Sequence, residues 1–408
     1  MRRIALVFVF LLAFFKNSIA QEAPFTFKWD NGFKLGSSDK KFKLKFGGRI
    51  MVDHAFFSQD ADLDQLFGVL ETTGATEIRR ARIFFAGTVY NNVTFKLDLG
   101  FEGGAVALKD VYFGLNSIPV VGNLRVGNVK EPFRLEMLTS SKYITFSERS
   151  FTGDFSPTRN NGILLFNDFL DKRISAQAGL FRNANGKTAN DPTANDGYTF
   201  TGRVTGLAIN DESKKQLLHF GLGYRFTKPS SKQYKVASRP EEHLSSKKYI
   251  NTGTIEDVKN IKLINFETAF VKGAFSLQAE YLISNVNTGT VTTFDKYSFS
   301  SYYGQVSYFL TGEYKKYKSS YSGFGRVKPK SNFGGTEKKG LGAWEIALRY
   351  SNSDLNSEDI LGGEQSDITL GLNWYLNPVT RIMFNKVWAN IKDAGKANAF
   401  HVRFQVDF

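Results

Sequence analysis

The sequence predicts an all-β fold, a transmembrane antiparallel β-barrel of about 16 strands. Three observations support this prediction. Short blocks of strict alternation between apolar and polar residues recur along the chain. Aromatic residues make up 15% of the sequence, and Phe (39 copies) and Gly (37 copies) are common whereas Pro is scarce (9 copies). The chain also begins with a secretory signal, which directs it out of the cytoplasm.

The first 20 residues have the three parts of a cleaved signal peptide. Arg2 and Arg3 supply the positive start, Ile4–Phe15 is an unbroken apolar run, and Ser18–Ala20 is a small-x-small cleavage site. We therefore expect the mature chain to begin at Gln21. The alternative is an uncleaved membrane anchor, but the apolar run is shorter than the roughly 20 residues that a spanning helix needs.

The mature chain is basic and contains no cysteine. Removal of Arg2, Arg3 and Lys16 lowers the net charge from +14 to +11, because the signal peptide contains no acidic residue. A basic soluble protein could bind nucleic acid, but an exported chain meets little of it, so we expect no nucleic-acid partner. The charge predicts either a surface or pore that attracts anions, or a lysine-rich solvated surface.

The remaining 21–408 are expected to form one barrel domain, and the clearest strand ends the chain. On one face of that strand lie Phe400, Val402, Phe404, Val406 and Phe408, and on the other lie His401, Arg403, Gln405 and Asp407. The same alternation occurs in residues 95–101, 218–226, 275–281, 344–350 and 368–376.

Two-faced strands of this kind can cross a membrane only as a closed barrel, because every backbone N–H and C=O group in lipid must find a partner within the protein. A soluble β-sandwich is the alternative, but it would not need a polar second face of uniform length. At about 24 residues for a strand and its connection, the mature chain forms about 16 strands, and barrels of that size enclose a water-filled channel.

The connections are expected to alternate between tight periplasmic turns and long external loops. Leu376–Val379 contains an Asn-Pro pair and predicts a periplasmic turn. Three long polar segments rich in Gly, Asn, Ser and Lys are predicted to be external loops: residues 183–198, 228–260 and 312–340.

Signals for catalysis are weak. The four histidines are His54, His219, His243 and His401, and none has the spacing of a zinc site. There is no cysteine nucleophile and no Gly-x-Ser-x-Gly motif. We therefore expect no catalytic residue, no metal and no cofactor. The alternative, a barrel enzyme, would require Ser, His and an acidic or amide partner together on the outer wall.

A set of motifs resembles the phosphate-selective porin O and P family. The set occurs in the order of the family, from about residue 25 to the C-terminus. It consists of Phe46–Arg49, Arg79–Arg82, Glu131–Phe133, Thr139–Ser150, Arg159–Gly162, Gln278–Tyr281, Tyr303–Glu313, Gly342–Glu345 and Gly371–Asn377.

The resemblance implies a homotrimeric outer-membrane porin of 16 strands, with a loop segment that folds inward and narrows the pore. It also implies a channel for small anions such as phosphate, in which arginines lead to a basic constriction. Arg49, Arg79 and Arg80 match positions of that pathway. Lys142 and Arg149 lie in the segment that resembles the inward loop, and Asp110 matches an acidic residue near the constriction.

The residues 232–242 depart from the pattern of family members that strongly prefer phosphate, which have closely spaced arginines in an external loop. This stretch retains one arginine, Arg239, and contains lysines and two carboxylates. This departure favours a general preference for anions over strict phosphate selectivity.

Strand parity restricts which arginines can face the lumen. Arg80 and Arg82 lie two positions apart and share a face, whereas Arg79 points the opposite way unless a bulge intervenes. We therefore predict Arg80 and Arg82 in the lumen. Arg79, which the resemblance assigns to the same pathway, reaches the lumen only through a bulge, and the alternative for it is a position at the membrane interface. Asp110 is expected to pair with a wall arginine.

Three alternatives to an anion channel remain open from the sequence. The first is a general diffusion porin with weak ion preference, the second is a plugged barrel with a structural or adhesive role, and the third is the barrel enzyme described above. A passive pore needs only positive charges spaced along its wall, because salt screens each exposed charge beyond about 8 Å.

Overall fold

The computed structural model describes residues 24–30, 32–184, 197–334 and 340–408. The predicted signal peptide and the predicted start at Gln21 lie outside these residues, and part of the predicted loops 183–198 and 312–340 does so too. Within the described ranges, no helix has both the length and the apolar character required to cross a bilayer.

Sixteen antiparallel strands close into one barrel, which confirms the predicted fold. The hairpin of β1 (Phe25–Trp29) and β2 (Phe33–Ser37) precedes the barrel and extends its sheet beside the first barrel strand. The barrel strands are β3 (Lys43–Gln59), β4 (Gly74–Val89), β5 (Val93–Gly100), β6 (Ala107–Ile118), β7 (Gly122–Lys130), β8 (Arg159–Phe169), β9 (Ile174–Arg182), β10 (Thr199–Asp211), β11 (Gln216–Thr227), β14 (Val258–Lys272), β15 (Phe275–Thr288), β16 (Lys296–Phe309), β19 (Ala343–Ser357), β20 (Ile360–Asn377), β21 (Thr380–Ile391) and β22 (Gly395–Asp407).

The last strand pairs with the first, so the barrel has no free edge. β22 runs antiparallel to β3 from Ala397 opposite Gln59 to Asp407 opposite Arg49. Closure satisfies the backbone groups that an open sheet would leave exposed to lipid. The C-terminal Phe408 seals this seam, because its backbone N–H and C=O both bond to Gly48.

The predicted alternation of faces is present, with the polar side inward. In β22, Arg403 and His401 are 0% and 1% exposed, whereas Phe404 and Phe400 are 53% and 39% exposed. The apolar side chains thus form the outer wall, and the polar ones form the lumen. A soluble protein has the opposite arrangement, with its apolar side chains inside. A barrel that contacts lipid outside and contains water inside requires an apolar exterior and a polar interior.

In the described parts of the connections lie three short helices and four short strands. Helix α1 (Ala61–Phe67) follows β3, while α2 (Leu135–Leu138) and α3 (Thr152–Phe155) lie between β7 and β8. The strands pair as two small hairpin-like units, one formed by β12 (Ala237–Ser238) and β13 (Ile250–Asn251), the other by β17 (Tyr317–Ser319) and β18 (Gly323–Phe324).

The connection between β7 and β8 folds into the lumen, as predicted, and we call residues 131–158 the inward segment. Two glycines on the wall make room for it. A Cβ atom at Gly223 would lie 2.1 Å from the carbonyl oxygen of Phe133, and one at Gly371 would lie 2.9 Å from the ring of Phe146. The wall can accept the backbone and an aromatic ring of the segment only because these positions lack a side chain.

The long connection between β16 and β19 is not the external loop that the sequence predicts. Residues 312–340 were predicted to form an external loop, but β16 ends at Phe309, which pairs with Glu345 near the start of β19. This end of the barrel also carries the tight turn at Pro378 and Val379, where the Asn377 side chain accepts two backbone N–H groups. Short turns mark the periplasmic end, so the segment enters the lumen from the periplasmic side.

Ion pairs brace the inward segment against the wall opposite β3–β9. Arg225 binds Glu131 at 3.0 Å, and Arg134 lies 3.0 Å from Glu280. The loop between β11 and β14 adds Glu241, which binds Arg349. Arg403 likewise pairs with Asp53 and Glu148, so these lumen arginines hold the segments inside the barrel against its wall. The opposite half of the lumen, beside β3–β9, contains the large cavities.

Candidate functional site

A central cavity of about 800 Å³ lies between strands β3–β9 and the two segments that fold inward. Its lining contains one carboxylate, Asp110, and many cations. The basic residues that line it are Arg49, Arg79, Arg80, Arg82, Lys96, Lys109, Arg125, Lys130, Arg149, Arg159 and Lys318. Low-dielectric walls concentrate the field of such a group, so the cavity attracts anions.

Arg49 links the wall to the inward segment. Its Nη1 donates to Ser141 Oγ at 2.9 Å and lies 3.5 Å from Ser140 Oγ, and its Nη2 lies 3.9 Å from Asp98. The side chain is largely buried, and both serines also line the cavity. A planar guanidinium beside two hydroxyl groups can bind an oxyanion, because each group supplies an N–H or O–H donor.

Carboxylates neutralise part of the basic lining. Arg82 donates to Glu102 at 2.5 and 3.0 Å. Asp110 accepts from Lys96 at 2.5 Å and from Arg159 at 2.6 Å, which agrees with the prediction that it pairs with a wall arginine. These pairs hold the side chains in place, and they lower the charge that a passing ion meets.

Arg79 is brought to the cavity by a β-bulge, so it lies beside the pathway that the resemblance implies and not at the membrane interface, which was the alternative. The register between β3 and β4 pairs Met51 with Arg80 but Val52 with Ile78, which leaves Arg79 as the extra residue. A bulge redirects the side chain of that residue. Arg79 then donates to both oxygens of Glu148 at 2.8 and 3.0 Å. Arg80 and Arg82 face the lumen as predicted.

Five of the cavity cations form no ion pair with a carboxylate in the described part of the chain. Arg149 donates to the carbonyl oxygens of Glu136 and Thr139 at 3.0 and 2.9 Å, and Lys130 likewise binds backbone carbonyls. Nε and Nη1 of Arg80 are buried and have no hydrogen-bond partner. The five are Arg80, Arg125, Lys130, Arg149 and Lys318. The cavity therefore keeps a net positive charge.

Burial affects the protonation of cations in the two segments that fold inward. Burial lowers the pKa of Arg149 to about 10, although the nearby Glu136 opposes this change. Burial also lowers the pKa of Lys318, and the positive charges of Lys96 and Arg125 lower it further. Positive neighbours have this effect because a second charge is harder to add next to them, and a bound anion would reverse it.

Lys142 and Arg239 are the two predicted site residues that do not line the cavity. Lys142 lies 3.0 Å from Asp407, and burial lowers its pKa to about 8. Arg239 donates to the carbonyl oxygens of His243 and Ser245 at 2.8 and 2.7 Å within its own loop. The geometry thus gives both side chains contacts that hold loops in place.

Six basic residues of the cavity were not selected from the sequence. Lys96 and Arg125 each lie between apolar neighbours in a strand, so the alternation could have placed them in the lumen. Lys318 carries no such signal, because the inward path of its segment brings it to the cavity. The six are Lys96, Lys109, Arg125, Lys130, Arg159 and Lys318.

A second cavity of about 730 Å³, the periplasmic cavity, lies near the tight turns and the N-terminal hairpin. It is lined by four lysines, Lys28, Lys34, Lys43 and Lys45, and by the carboxylate of Asp168. Both cavities are thus basic. In the described ranges, no group of three or more His, Cys, Asp or Glu side chains is arranged to hold a metal ion.

Comparisons with known proteins agree with this architecture. Porin O of Pseudomonas aeruginosa is 25% identical over 397 residues, which cover 88% of this chain and 86% of that protein. An anion-selective porin from Comamonas acidovorans superimposes with a TM-score of 0.55 at 14% identity, over 90% of this chain and 100% of that one. The trimer form of OmpT from Vibrio cholerae gives 0.54 at 10% identity, over 90% and 99% of the two chains.

These structural likenesses show the barrel fold of outer-membrane porins. The family relationship comes from the sequence, since the model of the family described as phosphate-selective porin O and P matches residues 50–408. That match covers every barrel strand from Ile50 of β3 to the end of the chain. The chain is therefore an outer-membrane porin that belongs to the phosphate-selective porin O and P family.

Proposed function

We propose that the pore conducts small anions and holds phosphate where Arg49, Ser140 and Ser141 border the central cavity. The observation that carries this proposal is the lining itself, in which five cations have no carboxylate partner among the described residues. An anion that enters the cavity gains the attraction of these positive charges. The description of the family, which names phosphate, and the name of one structural neighbour, an anion-selective porin, point to the same class of solute.

The arrangement also allows an anion to leave. Arg82 and Arg159 are already bound to Glu102 and Asp110, so an ion competes with these carboxylates and is not held by the full set of cations. Conduction requires that binding be strong enough for entry and weak enough for release. Arg binds phosphate through two parallel N–H donors, whereas chloride cannot use that geometry, so phosphate is held longer.

The first experiment measures ion selectivity and phosphate block in a planar bilayer. Under a potassium chloride gradient, the reversal potential should show that chloride carries most of the current. Added phosphate should reduce the chloride current, and Ser141→Ala should weaken this block by about two- to tenfold, as expected for one lost hydrogen bond. Ser213→Ala is the matched control, because Ser213 lies in an exposed periplasmic turn and bonds to Asp211.

Each other result would favour a different function. A current carried by cations would refute the anion channel, and a chloride current that phosphate does not block would indicate a general diffusion porin. Absence of any current would indicate a plugged barrel. An unchanged block in Ser141→Ala would mean that phosphate binds elsewhere in the lumen.

We further propose that the barrel assembles as a homotrimer, with OmpT providing a trimeric example of the same fold. The outer wall has exposed aromatic and apolar groups from β11–β16, including Phe220, Phe266, Tyr281 and Tyr302, around a shallow depression. Native mass spectrometry from mild detergent should give three times the mass of the mature chain. A single-chain mass at all detergent concentrations would contradict the trimer.

A further inference from the structure

The two basic cavities meet at one arginine. The linings of the central and periplasmic cavities share Tyr112, Arg125 and Tyr321. The two cavities adjoin at these three side chains, and we call this place the neck. Tyr112 comes from β6 and Arg125 from β7, whereas Tyr321 comes from the segment that enters from the periplasmic side.

Arg125 is held at the neck by aromatic rings. Its guanidinium carbon lies 4.6 Å from the centre of the Tyr112 ring, 5.0 Å from that of Phe166 and 4.8 Å from that of Tyr321. Nη2 also donates to the Tyr321 hydroxyl at 2.5 Å. Cation–π contacts of this kind fix the plane of the guanidinium and leave its charge in place, because the rings carry no formal charge.

Arg125 differs from the neighbouring arginines in the partners that hold it. Arg82 and Arg159 have carboxylate partners that cancel much of their charge, but Arg125 has no ion pair with a described carboxylate. At the neck, aromatic rings hold an arginine in position, as carboxylates do elsewhere in the lumen. The rings, however, leave its full positive charge to a passing ion.

The ring of Tyr321 is itself fixed, because the residue before it is fastened to the wall. Ser320 Oγ donates to Ser175 Oγ at 2.6 Å, and the Ser320 carbonyl accepts from Arg203 at 2.7 Å. Ser320 is buried, and both of its partners are buried on β9 and β10. The position of Tyr321 therefore follows from the barrel wall.

We propose that Arg125 and Tyr321 form a selectivity neck, in which the guanidinium passes anions from the central to the periplasmic cavity and the tyrosine ring sets the width. The inference rests on the proposed anion channel and adds a second element to it, separate from the place where phosphate is held. Arg125 is a specificity-determining residue, whereas Tyr321 positions the guanidinium and its ring narrows the neck.

The experiment compares Arg125→Gln with wild type in planar bilayers at low salt, where charges are least screened. Arg125→Gln should lower the chloride conductance by about twofold or more and reduce the anion preference in the reversal potential. Phosphate is added on the external side of the membrane, opposite the periplasmic turns. Its block of the current should change by less than about twofold, because Arg49 and Ser141 are intact. Arg125→Lys keeps the charge and should retain most of the anion preference.

Lys316→Gln is the matched control, since it removes one positive charge from an exposed pair with Glu212 outside both cavity linings. Tyr321→Leu tests the width separately: conductance should rise while anion preference falls, because the ring is gone and the guanidinium is less fixed. This loop variant disturbs no barrel strand, so it also serves if Arg125→Gln does not fold.

The outcomes separate the two proposals. The neck is refuted if Arg125→Gln, or Tyr321→Leu in its place, matches Lys316→Gln in both conductance and reversal potential while wild type remains selective for anions. If wild type itself prefers cations, the proposed anion channel fails first. A loss of phosphate block equal to the loss of conductance would assign Arg125 to the phosphate site and overturn a separate neck.

Discussion

Replacement of Arg80 by glutamine should weaken phosphate block of the chloride current by about ten- to hundredfold, and the same change should make the barrel more stable. Arg80 is 6% exposed, and two of its three guanidinium nitrogens have no hydrogen-bond partner among the residues that the structure describes. A hydrogen bond to a charged group contributes about 1.5–3 kcal/mol, and each 1.4 kcal/mol corresponds to about a factor of ten in affinity. The expected loss of affinity follows from that range.

The gain in stability has the same cause. A buried charge without a partner costs free energy in the empty pore, and glutamine removes the charge while keeping a polar side chain that can form hydrogen bonds. The free energy of unfolding, measured by denaturant titration in detergent, should therefore rise. Improved stability together with reduced binding is the expected signature of a side chain retained for function.

Arg239→Gln is the matched control for this experiment, since it makes the same chemical change at an arginine outside both cavity linings. It should leave phosphate block unchanged. Equal effects of Arg80→Gln and Arg239→Gln would mean that block depends on the overall charge of the protein. Unchanged block in both variants would remove Arg80 from the pathway.

Replacement of Arg403 by leucine should lower the free energy of unfolding by about 3 kcal/mol or more, the largest effect on stability that we expect from one wall position. Arg403 is fully buried and binds Asp53 at 2.5 and 2.7 Å and Glu148 at 2.7 Å. It also donates to the carbonyl oxygen of Ser147. Its loss leaves buried carboxylates short of a partner and frees the inward segment from the seam between β22 and β3.

Two measurements test this prediction. Denaturant unfolding gives the change in free energy, and limited trypsin digestion reports whether the inward segment has loosened, because Lys142 and Arg149 are cleavage sites within it. Lys392→Gln is the control: its pair with Glu364 is exposed and should contribute at most about 1 kcal/mol. If Arg403→Leu unfolds like this control and resists trypsin equally, Arg403 does not anchor the segment.

Local pattern was enough to place many side chains correctly. Residues 400–408 alternate in sequence, and in the barrel Phe404 faces outward while Arg403 is buried, because a strand alternates its faces with a period of two. The same alternation predicted that Arg80 and Arg82 face the lumen, and both do. Arg79 does not follow the alternation, because one extra residue in β4 breaks the register with β3, and nothing in the sequence alone marks where such a bulge lies.

Long-range contacts account for the remaining differences. The segment 312–340 has the polar composition of an external loop, yet Ser320 and Tyr321 are inside the barrel, where they contact the walls of β9, β10 and β7. Composition reports that a segment is not buried in lipid, but a water-filled lumen accepts polar residues equally well. Composition therefore does not separate a lumen position from a loop position. For this reason the sequence predicted Arg239 in the anion pathway, whereas its partners in the structure are carbonyl groups of its own loop.

A barrel with an apolar exterior and a polar interior follows from the amino-acid pattern, because the two-residue period of a strand is a local property and lipid and water select opposite faces. Which interior cations lack a carboxylate among the described residues, and where the two cavities meet at Arg125, follow from the folded barrel. Pairing between charges depends on distances across the lumen, and those distances are set by closure of the barrel and by the two segments that fold into it.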